Sequence, residues 1–116
     1  MLLQIATYPT TLRYPDADGK SQPELANAQL ANNAQSLHDL TYQLISDQSR
    51  YAPFSNTAFR DAGGRYNSVE NLHNAIHSLV GNGGHMSFVP YSAFDPIFWL
   101  HHTYAFQDYL SESMRK

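Results

Sequence analysis

Apolar side chains recur mostly every three to five positions in three stretches of this chain, and this spacing favours helices over other regular structures. The first stretch contains no Gly, has Pro23 in its first turn and places a row of leucines up to Leu44 on one face. Ser21 is its candidate N-cap, and the polar run at residues 46–49 marks its end. No stretch alternates polar and apolar residues as a half-buried strand does. The predicted fold class is therefore all-α, an antiparallel helix bundle with long irregular loops.

The second and third stretches have clearer ends. Asn67, followed three residues later by Glu70, resembles a capping box, and the pattern that follows stops at Gly81. Asp95 and Pro96 have the residue types of an N-cap and a first helical position, and the third helix is predicted to extend to about residue 113. The positions of this helix that we expect to be buried are Ile97, Phe98, Leu100, Tyr104 and Leu110.

The remaining segments lack a regular period. Residues 1–22 contain Pro9, Pro15 and an Asp-Gly turn signal, and they are predicted to form an extended arm on the surface. Residues 50–66 combine four aromatic rings with Pro53 and two glycines, which indicates an irregular loop packed on the core, because flexible linkers seldom carry so many rings. A chain of 116 residues suits one domain, 1–116, with its packed part at 23–116.

Charge and composition exclude several classes of function. Seven basic and ten acidic residues give a net charge of -3, so nucleic-acid binding has no basic surface to depend on. No window approaches the roughly 20 apolar residues of a membrane span. Residues 1–6 lack the basic start and long apolar run of a secretory signal, so a chain expressed as it stands is expected to be cytoplasmic. The absence of Cys excludes disulfides, thiolate metal sites and cysteine nucleophiles.

The six histidines are the most informative polar residues. His73 and His77 stand four residues apart in the second predicted helix, so both imidazoles project from one face and could bind one metal ion. A zinc protease with this spacing needs a Glu directly after the first His, where this chain has Asn74. A third nitrogen could come from His101 or His102, which differ by about 100° in direction, so only one faces the same ion. Three imidazoles suit copper, or zinc with an open position, better than calcium or magnesium.

Each histidine also has a simpler interpretation. A pair of His at a spacing of four is common on helices, and by itself it more often marks surface or core residues than a metal site. His38 stands alone beside Asp39 and is predicted to be structural or solvent-facing. His85 either bonds to backbone within a loop or lines the entrance of a site.

Three sub-motifs follow one another in the second half of the chain. They are Glu70-Asn71-Leu72-His73-Asn74-Ala75-Ile76-His77, Gly83-Gly84-His85-Met86-Ser87 and Phe94-Asp95-Pro96-Ile97-Phe98-Trp99-Leu100-His101-His102. Their order and spacing together resemble the copper B region of the tyrosinase family, and of fungal tyrosinases in particular. The resemblance is close over about residues 67–103, and the segment 6–15 and the first helix are similar more loosely.

The resemblance implies a copper site and an oxidation. Members of the family hold two coupled copper ions, each through three His, bind dioxygen between them, and oxidise phenols to catechols and catechols to quinones. By position, His73, His77 and His102 resemble the copper B ligands. His101 and His85 would then lie beside the ligands without binding the metal.

The resemblance also suggests roles around the metal. Glu70 and Asn74 resemble a pair that holds a water, and this water would accept the proton of a phenol whose pKa is about 10. Glu70 has the simpler alternative of a helix-capping carboxylate. Phe88 and Val89 fall near the family's gate over copper B, where bulk restricts the approach of substrate, although both could equally be loop hydrophobes.

The chain departs from the family pattern at both ends of the motif region. The copper A half would supply three more His upstream, but only His38 precedes His73. After His102 the family continues with an Asn and an Asp-Arg pair, whereas this chain has Thr103 and then Tyr104. These departures indicate a truncated, spliced or engineered version that lacks copper A.

Two functions of different kinds follow from these observations. The first is a copper oxidoreductase of tyrosinase type that acts on phenolic substrates with dioxygen. The second is a non-catalytic module that binds a single copper or zinc ion; an oxygen carrier like the molluscan haemocyanins would also need two coppers. In the family, the copper A and copper B helix pairs cover each other's apolar faces. The missing half or a second copy of this chain is therefore the expected partner.

Overall fold

The computed structural model of the protein describes residues 10–47, 51–55 and 67–113. These residues form three long helices and one short helix, and two 3₁₀ turns at His85–Ser87 and Ser92–Phe94 lie between the last two long helices. The helices are α1 (Pro23–Asp47), α2 (Tyr51–Ser55), α3 (Val69–Gly81) and α4 (Ile97–Ser113). The described residues contain no strand, so the all-α prediction is confirmed. None of the described helices combines the length and the apolar character that crossing a bilayer requires.

Helix α1 has the predicted bounds but not the predicted cap. It begins at Pro23, and its first turn is closed by Leu25, whose N–H donates to the carbonyl of Gln22 at 3.0 Å. The Oγ of Ser21 instead accepts the N–H of Arg13 and donates to its carbonyl, both at 2.9 Å. Ser21 therefore fastens the preceding segment and does not cap the helix.

Helix α3 starts one residue later than the capping-box pattern implies. Ser68 is the N-cap, and its Oγ accepts the N–H of Asn71 at 3.1 Å. The predicted cap, Asn67, has another task, because its Nδ2 donates to the carbonyl of Leu40 at 2.5 Å and so ties the start of α3 to α1. The helix ends at Gly81 as predicted, and Asn82 closes it in a left-handed conformation with φ of 39°.

Helix α4 begins one residue after Pro96, the predicted first helical residue, and its burial differs from the prediction. Asp95 is fully buried, and its Oδ1 accepts the N–H of Ile97 at 3.0 Å. Leu100 and Tyr104, however, are 62% and 65% exposed, so the prediction that they are buried is wrong, and Trp99 beside them is 63% exposed. Helical periodicity marks a face as apolar but does not tell whether the same chain covers that face. Leu110 lies outside the residues whose side chains are described.

The segment before α3 is partly helical. Residues 51–55, predicted as irregular, form α2, in which the side chain of Phe54 is buried. Pro53 is tolerated in so short a helix because the N–H groups of a first turn have no helical partner to lose. The predicted aromatic loop is therefore wrong over α2, while residues 56–66 lie outside the described part of the chain.

The predicted surface arm is packed against the helices where it is described. Leu12 is buried, and the other buried apolar side chains are Ala26, Leu44, Phe54, Val80 and Met86. A tight turn follows, in which Oδ1 of Asp16 accepts the N–H groups of Asp18 and Lys20 at 2.9 Å. Residues 1–9 of the arm lie outside the described residues. The core of the described residues thus draws on the arm, on α1, α2 and α3, and on the loop after α3, and it is small.

Candidate metal centre

Three imidazole nitrogens converge between α3 and α4. The Nε2 atom of His77 lies 3.1 Å from that of His73 and 3.3 Å from that of His102, and the Nε2 atoms of His73 and His102 are 3.3 Å apart. A point equidistant from all three lies about 1.9 Å from each atom, close to the metal–nitrogen distance of about 2.0–2.1 Å found in zinc sites. The donor set and its dimensions therefore fit a copper or zinc ion.

The hydrogen bonds on the other side of two rings fix which nitrogens carry protons. Nδ1 of His77 lies 2.8 Å from the carbonyl oxygen of Met86, and because a carbonyl can only accept, this nitrogen carries the proton. Nδ1 of His73 donates to Oδ1 of Asn74 at 3.0 Å in the same way. Both Nε2 atoms then present lone pairs to each other at 3.1 Å, an arrangement that a cation between them stabilises.

Burial favours the uncharged form of two of the converging rings, those of His77 and His102. It is the main cause that lowers the pKa of His77, outweighing the hydrogen bond to Met86 that would raise it. Burial also lowers the pKa of His102, and the neighbouring His73 adds to the effect. Since metal ions bind neutral imidazole, these rings are in their binding form at neutral pH.

His101 is the rival for the third position. Its ligand atom lies within 4.8 Å of those of His73 and His77, so a set with His101 is also compact. Its Nε2, however, donates to the carbonyl of His73 at 3.1 Å, and its ring stacks on that of His73 at 4.9 Å. Burial, reinforced by the neighbouring His73 and His77, lowers the pKa of His101 to about 4. The shorter Nε2 distances favour His102 as the third ligand and leave His101 as a support for His73.

The other residues singled out by the sequence differ in their burial and in their contacts with the histidines. Asn74 contacts His73, as described, and Glu70 occupies the first turn of α3 in a half-buried position. Phe88 is half-buried in the loop before α4, whereas Val89 is 91% exposed. The ring of Phe98 packs on that of His102, with centroids 4.0 Å apart.

The remaining two histidines differ in burial: His85 is buried in a loop, and His38 is exposed. His85 is buried, its Nδ1 accepts the N–H of Leu12 at 3.0 Å, and its ring lies 5.9 Å from that of Phe94. Of the two alternatives for His85, the loop residue bonded to backbone is the one the structure displays. His38 is exposed beside Asp39, as predicted.

Two contributors to the site were missed by sequence reasoning. The Met86 carbonyl that accepts the hydrogen bond of His77 is a backbone group in a loop, and no residue pattern predicts it. The other is Arg13, which binds Asp95 at the start of α4 through Nε at 2.9 Å and Nη2 at 2.5 Å. Arg13 stands in the segment that loosely resembles the family, but a single Arg in an irregular segment carries no signal of its partner.

An apolar cavity of about 410 Å³ adjoins the histidines between α1, α3 and α4. His73 and His101 line it together with side chains from all three helices, among them Leu37, Leu72 and Tyr104. The back of the metal centre therefore faces an apolar space.

Comparison with known proteins identifies the family. The protein-family model that describes the common central domain of tyrosinase matches residues 3–111 of this chain. A tyrosinase of Podospora anserina is 39% identical over 103 residues, which cover 86% of this chain and 18% of that protein. Polyphenol oxidase 4 of Agaricus bisporus is 42% identical over 101 residues, 84% of this chain and 16% of the relative.

A solved structure agrees with these sequence matches. A crystal structure of latent and active mushroom tyrosinase superposes with a TM-score of 0.80 at 37% identity, covering 88% of this chain and 19% of that one. The chain thus spans about a fifth of the length of the relatives it matches. Because the family model covers nearly the whole chain and the solved fold agrees with it, this chain belongs to the tyrosinase family.

Proposed function

We propose that this chain binds one copper ion through His73, His77 and His102 and forms the copper B part of a tyrosinase-type oxidoreductase. The observation that carries the proposal is the set of three Nε2 atoms 3.1–3.3 Å apart, two of them with lone pairs directed inward by hydrogen bonds at Nδ1. Bound copper supplies one-electron redox steps and a position for dioxygen. The substrates would be phenols and catechols, and the products quinones.

The residues of the chain would hold the ion and move a proton. In the net reaction, each of two catechols loses two electrons and two protons, and one dioxygen takes up all four of each to give two waters. A phenol with a pKa of about 10 must also lose its proton, and a water held between Glu70 and Asn74 would accept it. Since His73 occupies Oδ1 of Asn74, the amide Nδ2 is the group of Asn74 that would hold this water.

The loop before α4 would control the approach of substrate. Val89 projects an almost fully exposed apolar side chain from this loop, and Phe88 beside it is half-buried. We propose that Phe88 and Val89 limit which phenols approach the copper, as bulk at a site entrance does.

A two-copper centre needs a partner, and a second copy of this chain is our proposal for it. The part of the chain described here holds one group of clustered histidines, whereas a tyrosinase-type centre needs two such groups. The exposed side chains of Trp99, Leu100 and Tyr104 form an apolar face on α4, beside the helix turn that carries His102. A two-fold contact through this face would cover it with its own copy.

The single cluster also favours a second candidate function. One three-His group with inward lone pairs is sufficient to bind one copper or zinc ion without turnover. Such a mononuclear module would bind metal tightly and oxidise nothing.

The two candidates differ in activity, assembly and metal content. We expect the copper-loaded chain to bind one copper per chain, to sediment as a dimer and to oxidise catechol, and we expect His77→Ala to lose both metal and activity. Metal analysis, analytical ultracentrifugation and quinone absorbance measure these three properties. One tightly bound copper per chain without catechol oxidation, in a monomer or in a dimer, would establish the mononuclear module instead. If catechol oxidation appears only after a separate copper A half is added, that half, and not a second copy of this chain, is the partner.

Glu70→Gln should separate proton transfer from metal binding. The amide keeps the shape of the side chain and cannot take a proton, so copper affinity should be unchanged while monophenol oxidation slows by about a hundredfold, more than diphenol oxidation. Copper titration and the two oxidation rates test this, with far-UV circular dichroism as the control for folding. Loss of helix content in the variant would assign Glu70 to capping α3.

A further inference from the structure

Residues 11–14, here called the strap, bond to the end of α3 and to the loop that follows it. Leu12 and His85 form a reciprocal pair: the N–H of Leu12 donates to Nδ1 of His85 at 3.0 Å, and the N–H of His85 donates to the carbonyl of Leu12 at 2.8 Å. The N–H of Tyr14 donates to the carbonyl of Gly81, the last residue of α3, at 3.0 Å. Gly84 lies so close to the carbonyl of Leu12 that a Cβ would not fit.

The same strap also holds the start of α4. Between its Leu12 and Tyr14 contacts, Arg13 forms a two-pronged ion pair with Asp95, at 2.9 Å through Nε and at 2.5 Å through Nη2. Asp95 is fully buried, and its Oδ1 also receives the N–H of Ile97, the first residue of α4. The Arg13 guanidinium therefore binds the Asp95 carboxylate, which caps α4, the helix that carries His102. Bidentate pairs of this kind fix orientation as well as distance.

The strap thus joins the two helices that supply the converging nitrogens. His73 and His77 are on α3 and His102 is on α4, so the Nε2 distances of 3.1–3.3 Å depend on how these helices sit relative to each other. Metal sites tolerate errors of only about 0.2 Å in ligand distance. The carbonyl that orients His77 belongs to Met86, the residue next to His85, so the His85 anchor positions that carbonyl as well.

We infer that the strap sets the geometry of the three-His site, with Arg13 and His85 as positioning residues that do not touch the metal. This inference rests on the proposed metal site. It predicts that loosening the strap changes the coordination of the ion and not only the stability of the fold. Groups that hydrogen-bond directly to a metal ligand typically affect affinity by about 10- to 100-fold, and Arg13 and His85 act through one further group, so we expect the lower end of that range.

The test compares Arg13→Gln with Phe54→Ala, a core change on α2 that leaves every strap bond in place and does not line the cavity beside the histidines. Cu²⁺ is titrated into each full-length variant, its electron paramagnetic resonance spectrum is recorded, and unfolding by urea gives the stability. We expect Arg13→Gln to bind Cu²⁺ about tenfold more weakly with an altered copper hyperfine splitting. Phe54→Ala should keep the wild-type spectrum at a comparable loss of stability. Arg13→Lys, which keeps the charge but not both prongs, should fall between Arg13→Gln and the wild type.

A second pair of variants keeps the inference testable if Arg13→Gln does not fold. His85→Asn retains an acceptor near the position of Nδ1 and should preserve the copper spectrum, whereas His85→Leu removes the acceptor and should alter it. If Arg13→Gln or His85→Leu has the same copper affinity and spectrum as Phe54→Ala, the strap only stabilises the fold. That result would overturn this inference and leave the proposed function standing. A wild-type chain that binds no copper would overturn the proposed function and the inference together.

Discussion

His102→Ala should abolish stoichiometric copper binding, whereas His101→Ala should weaken it by only about tenfold. The Nε2 of His102 closes a triangle with sides of 3.1–3.3 Å, and without it two nitrogens on one helix are left to hold the ion. His101 acts on His73 through a hydrogen bond to its carbonyl and through ring stacking, and these contacts position a ligand without supplying one.

Competition with a chromophoric chelator measures both affinities. His38→Ala is the matched control, because it removes an exposed imidazole on α1 and should leave affinity unchanged. Equal losses in the two adjacent variants would mean that both rings bind the ion. A larger loss in His101→Ala would select the alternative set of His73, His77 and His101, whose ligand atoms also lie within 4.8 Å of one another.

Sequence patterns located the long helices because each is encoded locally. A Pro in the first turn of α1, a Gly at the end of α3 and an Asp before α4 are signals that act over a few residues, and the structure places helix ends at all three. The spacing of His73 and His77 works the same way, since residues four apart share one face of a helix. The family resemblance, and not the spacing, selected His102 over His101.

Other features depend on contacts between distant residues, and periodicity does not encode them. Arg13 and Asp95 are 82 positions apart, and no local pattern connects an irregular arm with a helix cap. The Met86 carbonyl is invisible to sequence reasoning because every residue has one. Leu100 and Tyr104 were predicted to be buried because their face of α4 is apolar, but burial requires a covering surface that the described residues do not provide.

Gly84→Ala should destabilise the protein by about 3 kcal/mol or more, since a new methyl group would overlap backbone that has little freedom to move. The φ of Gly84 is -86°, which any residue adopts, so the expected effect is steric and not conformational. A Cβ there would overlap the carbonyl oxygen of Leu12 and lie 2.9 Å from its carbon and 3.0 Å from the carbonyl oxygen of Gly81. These carbonyls are held in turn, by the N–H of His85 at 2.8 Å and by that of Tyr14 at 3.0 Å.

The neighbouring Gly83 provides the control for this prediction. Its φ is +89° and nothing lies within 4 Å of a Cβ built on it, so Gly83→Ala should lose only the roughly 1–2 kcal/mol of a left-handed non-glycine residue. Urea unfolding followed by far-UV circular dichroism compares the two variants. Domains of this size are stable by about 5–15 kcal/mol, and the core here is small, so Gly84→Ala should be substantially unfolded at moderate temperature while Gly83→Ala stays folded. If the two substitutions cost the same, the contact between Gly84 and Leu12 does not hold the arm against α3, and the arm contributes less to the fold than its bonds indicate.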